Sequence, residues 1–418
     1  MKLFYVVTFI VLMVAIILPL GLNVRVPEPV AEKTTLRIME GCLKGVGYII
    51  GASVALGLTE ANSPFLKEVG NNIYRVCTTG RLWMAQTKGL KITDQVMSGI
   101  PVRVYEPESS IQQTNRPVLL YLHGGGWAFL SIGKHNYDHL CQKLAKDANI
   151  VVISVDYRLS PQNPYPAGLD DVTSIVMHVS ENSRSLGIDP GRIAVGGDSA
   201  GGNLAAAVQL RPETRGKLSM LLLLVPVLQG VNMKTISFTE NVEYLHNSIN
   251  NPGQVVYFFH YMSLDHSLFN AFRNNLHTSA EFKKGKYRFL FDQRKYLPAE
   301  YIRSAKLKQM GNDIEQVGNE TLFNKLKDKL LTPTIFPMMA SDDELSKFPF
   351  TYVMAAGYDL IRDDAIMFAE RLRHLNVEVQ LSHFPDGFHN DLIMFDGPFK
   401  TDVGVRTVID MVKVLKKL

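Results

Sequence analysis

Residues 192–210 read Arg-Ile-Ala-Val-Gly-Gly-Asp-Ser-Ala-Gly-Gly-Asn-Leu-Ala-Ala-Ala-Val-Gln-Leu. The short β-branched run Arg192-Ile193-Ala194-Val195 predicts a buried strand. Asn203 to Leu210 is rich in good helix formers and predicts a helix. Between them stands Gly197-Asp198-Ser199-Ala200-Gly201, a G-x-S-x-G with a further glycine on each side, Gly196 and Gly202. A strand and a helix that cross this closely leave no room for side chains two before and two after the serine. Such a turn lifts the serine hydroxyl above the sheet. It also points the first helical N–H groups at the space beside that hydroxyl. Ser199 is the candidate nucleophile, and Asp198 a supporting residue of the turn. A glycine-rich loop without chemistry would show the same pentapeptide, so the surrounding chain decides.

Upstream, Val118–Leu122 and Ile150–Val155 read as buried strands, with helices expected over His135–Ala148 and Leu169–Ser185. Val96 to Tyr105 reads as strand, turn, strand around Gly99-Ile100-Pro101. Leu221–Val225 follows the elbow helix as another strand. Residues 229–343 then break the alternation and are too long for a connecting loop. They predict an inserted helical cap, whose aromatic run Tyr257-Phe258-Phe259-His260-Tyr261-Met262 serves as cap core or meets an apolar substrate. The alternation resumes with a strand at Thr351–Ala356, a helix at Asp363–Leu375, a strand at Val377–His383 and a closing helix at Val403–Leu415. Repeated βα units predict an α/β fold, a mostly parallel central sheet with helices on both faces. Residues 95–228 and 344–418 are the expected two parts of this core, and residues 24–94 an N-terminal helical region contributing to the cap. Ligands of such sheets bind beyond the carboxyl ends of the strands.

The totals narrow the function classes. The chain has 418 residues, 46% of them hydrophobic and 20% charged, with a net charge of +4. That supports a large core, and no basic stripe interleaved with aromatics points to nucleic acid. The three cysteines, Cys42, Cys77 and Cys141, show no metal-ligand spacing. Cys141 reads as a buried thiol, and Cys42 and Cys77 could pair in an oxidising compartment. Leu3 to Leu22 carries no charge and is long enough to span a bilayer. Its bulky run continues to Pro19-Leu20 with no small-residue cleavage site, which favours an uncleaved anchor over residues 1–23. Asn319-Glu320-Thr321 is the only N-x-S/T sequon and would fit a lumenal catalytic domain glycosylated at Asn319.

A serine nucleophile needs a base, and the base needs an orienting acid. Asp359 follows directly on the strand ending at Ala356, the right address for the acid. Asp363 and Asp364 open the next helix, where carboxylates complement the helix dipole. His389 lies in the loop Pro385-Asp386-Gly387-Phe388-His389-Asn390 after the last strand, the expected place of the base. His383 falls inside that strand and reads as structural. The run Gly124-Gly125-Gly126 begins at a strand end upstream of the elbow. Its amides, with that of Ala200, can form an oxyanion hole. His123, beside the run, reads as an orienter of the glycine loop.

Taken together, His123-Gly124-Gly125-Gly126-Trp127, Asp156-Tyr157-Arg158-Leu159-Ser160-Pro161, Gly197-Asp198-Ser199-Ala200-Gly201 and Tyr358-Asp359-Leu360-Ile361-Arg362-Asp363-Asp364 resemble the hormone-sensitive-lipase-like branch of the α/β hydrolases. Within it the chain looks most like the arylacetamide deacetylase group. The resemblance runs from about residue 95 to the end and includes the N-terminal anchor. It implies an α/β-hydrolase fold with a helical cap and an N-terminal transmembrane helix. It implies triad roles for Ser199, Asp359 and His389, an oxyanion hole of Gly125, Gly126 and Ala200, and no cofactor. It also implies a single-pass protein of the endoplasmic reticulum membrane with a lumenal catalytic domain. The substrate class implied is small apolar esters, aryl amides or neutral lipid esters. Ser160 departs from the family, where many relatives carry alanine, and the cap matches no motif.

Two readings follow. The first is a membrane-anchored serine hydrolase acting through an acyl-enzyme. The second is a non-catalytic ligand-binding protein on the same fold, which the presence of serine, acid and histidine disfavours. A metal-dependent hydrolase has no His/Asp/Glu group at ligand spacing to support it.

Overall fold

The computed structural model describes residues 23–55, 64–79, 87–132, 136–246, 250–290, 293, 297–302 and 318–418. The described strands form a single sheet. They are β1 Leu90–Met97, β2 Ile100–Pro107, β3 Arg116–Leu122, β4 Val151–Val155, β5 Ile188–Asp198, β6 Met220–Leu224, β7 Phe350–Ala356 and β8 Val379–Phe384, in the spatial order β1-β2-β4-β3-β5-β6-β7-β8. The hairpin β1–β2 pairs antiparallel, as does β2 with β4, and every later neighbour is parallel. The sheet begins at Leu90, inside the stretch expected to be helical. The run Leu90–Met97 is half exposed and mixed in polarity, so it carries little of the apolar alternation that betrays a strand.

The helices that position the site are α1 Lys33–Ala55, α2 Pro64–Thr79, α3 Asn136–Ala148, α4 Ala167–Glu181, α5 Ala200–Gln209, α6 Ile236–Asn241, α7 Val256–Met262, α8 Glu320–Leu330, α9 Arg362–His374 and α10 Asp402–Leu415. His135, expected to open α3, lies outside the described residues. Alternate strand residues separate two cores, as the two-residue strand period requires. Val118, Leu120 and Leu122 of β3 pack with α4, α5 and α9 and with the cap. Leu119 and Tyr121 pack with α3, α10 and the start of α1. Helices therefore cover both faces of a mostly parallel sheet, in agreement with the sequence reading.

Between β6 and β7 the cap is built of short helices, of which α6, α7 and α8 are the ones used here. Side chains of the core hold it through backbone carbonyls. Asn203 of α5 donates to Val227 O and Ile335 O at 2.9 and 2.8 Å. Arg371 of α9 donates to Met338 O and Ala340 O at 2.7 Å each. The N-terminal helices are joined by a disulfide, Cys42–Cys77, across a sequence separation of 35. Closing a loop of that length stabilises the fold by about 4 kcal/mol in the chain-entropy account.

Residues 1–22 of the expected anchor lie outside the described residues. Among the described residues no helix is long and apolar enough to cross a membrane. α1 is long enough but carries Lys33, Arg37, Glu40 and Lys44.

Candidate active site

The elbow is fixed by backbone collisions. β5 passes into α5 at Ser199, which holds φ 55° and ψ −116°, a strained conformation for a residue with a side chain. A Cβ on either Gly197 or Gly201 would run into the carbonyl oxygen of Leu122 on β3. The strand, the helix and its neighbour strand touch there without side chains between them, as the spacing demanded. The amide of Ser199 donates to Leu224 O at 2.8 Å, so β6 also pins the turn.

The three expected residues meet at this end of the sheet. His389 Nε2 lies 3.0 Å from Ser199 Oγ. His389 Nδ1 lies 2.8 Å from Asp359 Oδ2. The other carboxylate oxygen, Oδ1, accepts the amide of Ile361 at 3.0 Å. Asp359 is 1% exposed and Ser199 7% exposed, so the relay is shielded from bulk water apart from the cavity it faces. Burial pulls the His389 imidazole toward the neutral form. The charge of Asp359 and its hydrogen bond, helped by Asp198 and Asp391, oppose this and leave the imidazole more basic than the ordinary value of 6.5.

The glycine run splits into two jobs, which corrects one expectation. The amide of Gly124 points inward and donates to Asp198 Oδ1 at 3.2 Å, with the Tyr137 hydroxyl at 3.1 Å. Gly124 is an anchor of the turn and not an oxyanion donor. Among the described residues, the amides of Gly125, Gly126 and Ala200 have no hydrogen-bond partner. Gly125 and Gly126 adopt φ 105° and 59°, where glycine is favoured, and both line the cavity with Ser199. Asp198 also accepts from Tyr121 and Tyr137 at 2.9 and 2.6 Å, which makes it the tie between β5, β3 and α3. Burial raises its carboxyl to about 6 against the opposing hydrogen bonds of Tyr137 and Tyr121.

His123 takes the role of orienter. Its Nδ1 donates to Gly124 O at 2.7 Å, and its ring stacks on Tyr157 at 4.5 Å. Burial lowers it to about 4, so it is neutral, and among the described residues Nε2 has no partner. Ser160 earns its departure from the family by a bond, its hydroxyl donating to Trp127 O at 3.0 Å. Arg158 of the same motif pairs with Asp171 at 2.7 Å. His383 is structural, with the Tyr301 hydroxyl 2.6 Å from its Nε2.

Asp363 and Asp364 do lie in the first turn of α9, yet they are fully buried, and dipole complement is not their chief task. Asp363 accepts the amide of Ser237 at 2.7 Å, and Asp364 accepts from Gln229 at 3.1 Å. Both bind the cap. The sequence reading missed Asn241, whose side chain donates to Asp359 O and Gly357 O at 2.8 and 3.1 Å. It holds the acid loop from the cap, and a lone asparagine in an unmatched segment carries no signal for that. The aromatic run divides. Tyr257 and Phe258 line the cavity, while Phe259 and Tyr261 are core, Tyr261 stacked on Trp127 at 4.3 Å. Asn319 is exposed and caps α8, accepting the amide of Leu322 at 2.9 Å.

Above Ser199 opens a cavity of about 470 Å³ whose walls are mainly apolar. Gly125, Gly126, Ser199, Asp359 and His389 lie together in its lining. Met233, Phe238, Tyr257 and Phe258 come from the cap, and Met39, Leu43, Tyr74 and Thr78 from α1 and α2. Among the described residues no His, Cys, Asp and Glu group could hold a metal ion.

Comparison with known proteins agrees with this layout. A family described by its alpha/beta hydrolase fold matches residues 119–284 and 294–392. Neutral cholesterol ester hydrolase 1 of Mus musculus is 30% identical over 401 residues, covering 94% of each chain. Arylacetamide deacetylase of Bos taurus is 31% identical over 389 residues, covering 91% of this chain and 92% of that one. A solved thermostable esterase from Pseudomonas putida superposes with a TM-score of 0.60 at 20% identity, covering 93% of this chain and 98% of that one.

Proposed function

We propose a function from one premise: the chain belongs to the α/β-hydrolase fold family, in the hormone-sensitive-lipase-like branch that holds neutral cholesterol ester hydrolase and arylacetamide deacetylase. It is an ester hydrolase of the deacetylase-like kind. The chain works as a serine hydrolase on apolar carboxylic esters, with aryl amides or neutral lipid esters as further substrates. The observation that carries this reading is the continuous relay Asp359, His389, Ser199 at the floor of an apolar cavity.

The steps follow from the atoms. A substrate carbonyl enters beside Ser199, with its oxygen toward the amides of Gly125, Gly126 and Ala200. Ser199 Oγ attacks the carbonyl carbon while His389 Nε2 takes the hydroxyl proton. Asp359 holds the Nδ1–H tautomer and stabilises the imidazolium. The three amides meet the negative charge that grows on oxygen, where preorganised donors count most. The imidazolium then gives its proton to the leaving alcohol or amine, and the acyl group stays on Ser199. Water enters, His389 takes its proton, and the acid is released. No step requires a cofactor.

We place the chain in the endoplasmic reticulum membrane, anchored by residues 1–23 with the catalytic domain lumenal. The residues just after the apolar run favour a site close to the bilayer. Val24 and Val26 are buried, and Arg25 pairs with Glu243 of the cap, a few residues before Asn251 and Val255 of the cavity wall. An oxidising lumen also suits the Cys42–Cys77 bond. A glycosidase-sensitive mass shift that disappears in Asn319→Gln supports this orientation, and its absence in a secretory host contradicts it.

The test of the reaction is labelling by a fluorophosphonate together with turnover of aryl acetates. Both are expected to vanish in Ser199→Ala. Labelling of that variant at full strength rules out Ser199 as the nucleophile, and tight ligand binding without turnover by the wild type supports a non-catalytic ligand-binding protein.

A further inference from the structure

Four residues of the cavity wall come from the N-terminal helix pair, and their spacing is regular. Met39 and Leu43 lie three before and one after Cys42; Tyr74 and Thr78 lie three before and one after Cys77. Those cysteines are bonded to each other. On a helix, residues at i−3 and i+1 stand beside residue i on neighbouring faces. The bond therefore sits alongside the wall and ties its two halves together.

The wall also meets the reaction centre on the side of the glycine run. Asn71 of α2 accepts the amide of Leu130, and Tyr74 packs edge-on against Phe129, both just beyond the glycine run. Asn390, the residue after His389, lines the same cavity as Tyr74. α2 has 16 residues, a length at which a helix needs tertiary support to persist.

We propose that the Cys42–Cys77 disulfide sets substrate size: oxidised, it holds the wall of Met39, Leu43, Tyr74 and Thr78 against the cavity so that bulky apolar esters are bound; reduced, it releases that wall and leaves an enzyme for small esters. The proposal rests on Ser199, Asp359 and His389 being the reaction centre. An acetyl group fills little of about 470 Å³, so only a larger substrate reaches from Ser199 to this wall. Each methylene that loses its apolar contact costs about fourfold in binding, and two or three of them about tenfold or more. Cys42 is part-exposed and Cys77 buried, so an external thiol has access to the bond at the Cys42 side. Two equivalents of that thiol are oxidised to their own disulfide, the Cys42–Cys77 bond breaks, and each cysteine sulfur takes one hydrogen. Oxidation reverses this.

The experiment compares kcat/KM for acetate, butyrate, octanoate and decanoate esters of one phenol. The protein is taken as isolated, after treatment with a dithiol, and as the double variant Cys42→Ser/Cys77→Ser. The ratio of decanoate to acetate is expected to fall about tenfold on reduction and in the double variant, with kcat on acetate unchanged. Met39→Ala, with the disulfide intact, is expected to lower the same ratio a few-fold. Should the double variant fail to fold, reduction of the folded protein answers the same question. An equal loss on every ester, or no change on any, overturns the proposal. Acetate turnover that survives Ser199→Ala overturns the reading of the reaction centre instead and leaves this comparison of ratios standing.

Discussion

The sheet core and the cap solve different problems with different physics. In the core, position is set by backbone against backbone. Gly197 and Gly201 exist because Leu122 O leaves no space for a Cβ, and the elbow cannot move without moving β3, β5 and α5 together. In the cap, position is set by polar side chains that clasp carbonyls, carboxylates and amides. Gln229 holds Asp364, Asn241 holds the Asp359 loop, Asn275 accepts the amide of Met233 at 2.7 Å, and the buried ammonium of Lys283 donates to Asn275 O at 2.8 Å. A core built by collision has one arrangement. The division assigns reaction type to the core and substrate choice to the cap together with α1 and α2.

The largest effects should come from the core and should not depend on substrate size. Ser199→Ala is expected to lower kcat by about 10⁶, measured on any ester the wild type turns over. Asp359→Asn should cost about 10⁴ in kcat. It should also move the acid limb of the pH profile. Activity needs the neutral imidazole, so in the wild type kcat/KM falls as pH drops through a His389 value above 6.5. Removing the Asp359 charge takes away the chief influence raising that value, so the limb moves to lower pH. A limb that stays in place shows that Asp359 does not govern the base.

Next comes the seam between the regions. A Cβ on Gly126 would meet the ring of Tyr257 on α7, within 2.6 Å of its Cγ, at a positive φ. Gly126→Ala is expected to cost about 10²–10³ in kcat, the loss typical of one oxyanion donor. Combining it with Tyr257→Ala should recover only the steric part. Full recovery would show that the loss is steric alone, since the substitution keeps the backbone amide. Asn241→Leu, measured as kcat on a short ester, should cost about tenfold, because the acid loop loses its clasp while the cap stays.

The smallest effect is on stability and depends on pH. Burial raises the Asp391 carboxyl from 3.8 to about 7, against the hydrogen bonds of Phe388 and Thr407, and among the described residues one of its oxygens has no partner. Its folded value lies above its unfolded one, so its contribution is present below about pH 4 and is lost as pH rises through about 7. Asp391→Asn should therefore raise the melting temperature by about 2 °C or more at pH 8, with no gain at pH 4. Equal changes at both pH values would mean that burial does not raise the carboxyl above its unfolded value.

The same contrast explains what could be read in the chain. Most strands of the parallel core are apolar runs, and the motifs lie at strand carboxyl ends, so Ser199, Asp359 and His389 could be placed from residue order alone. The expected elements of the parallel core fall within a few residues of those observed. Gly124 could not be separated from Gly125 and Gly126, because nothing in three identical residues says which amide turns inward toward Asp198. Asp363 and Asp364 looked like helix-dipole partners because the residues that bury them, Ser237 and Gln229, come from more than 120 positions away. The cap helices α6 and α7 have 6 and 7 residues, too short for a 3.6-residue period to declare itself. The Cys42–Cys77 bond was legible as a possibility only, since spacing along the chain does not report approach in space.

The division of labour is tested most directly by the chain-length profile of kcat/KM, from acetate to decanoate esters, for Asp359→Asn beside Tyr257→Ala. Asp359→Asn is expected to lower every ester by one common factor, leaving the shape of the wild-type profile intact. Tyr257→Ala is expected to change that shape while acetate turnover stays within about threefold of wild type, the size of a single peripheral contact. Profiles of the same shape for both variants, or a common factor for Tyr257→Ala and a changed shape for Asp359→Asn, would contradict the assignment of reaction to the core and selection to the cap.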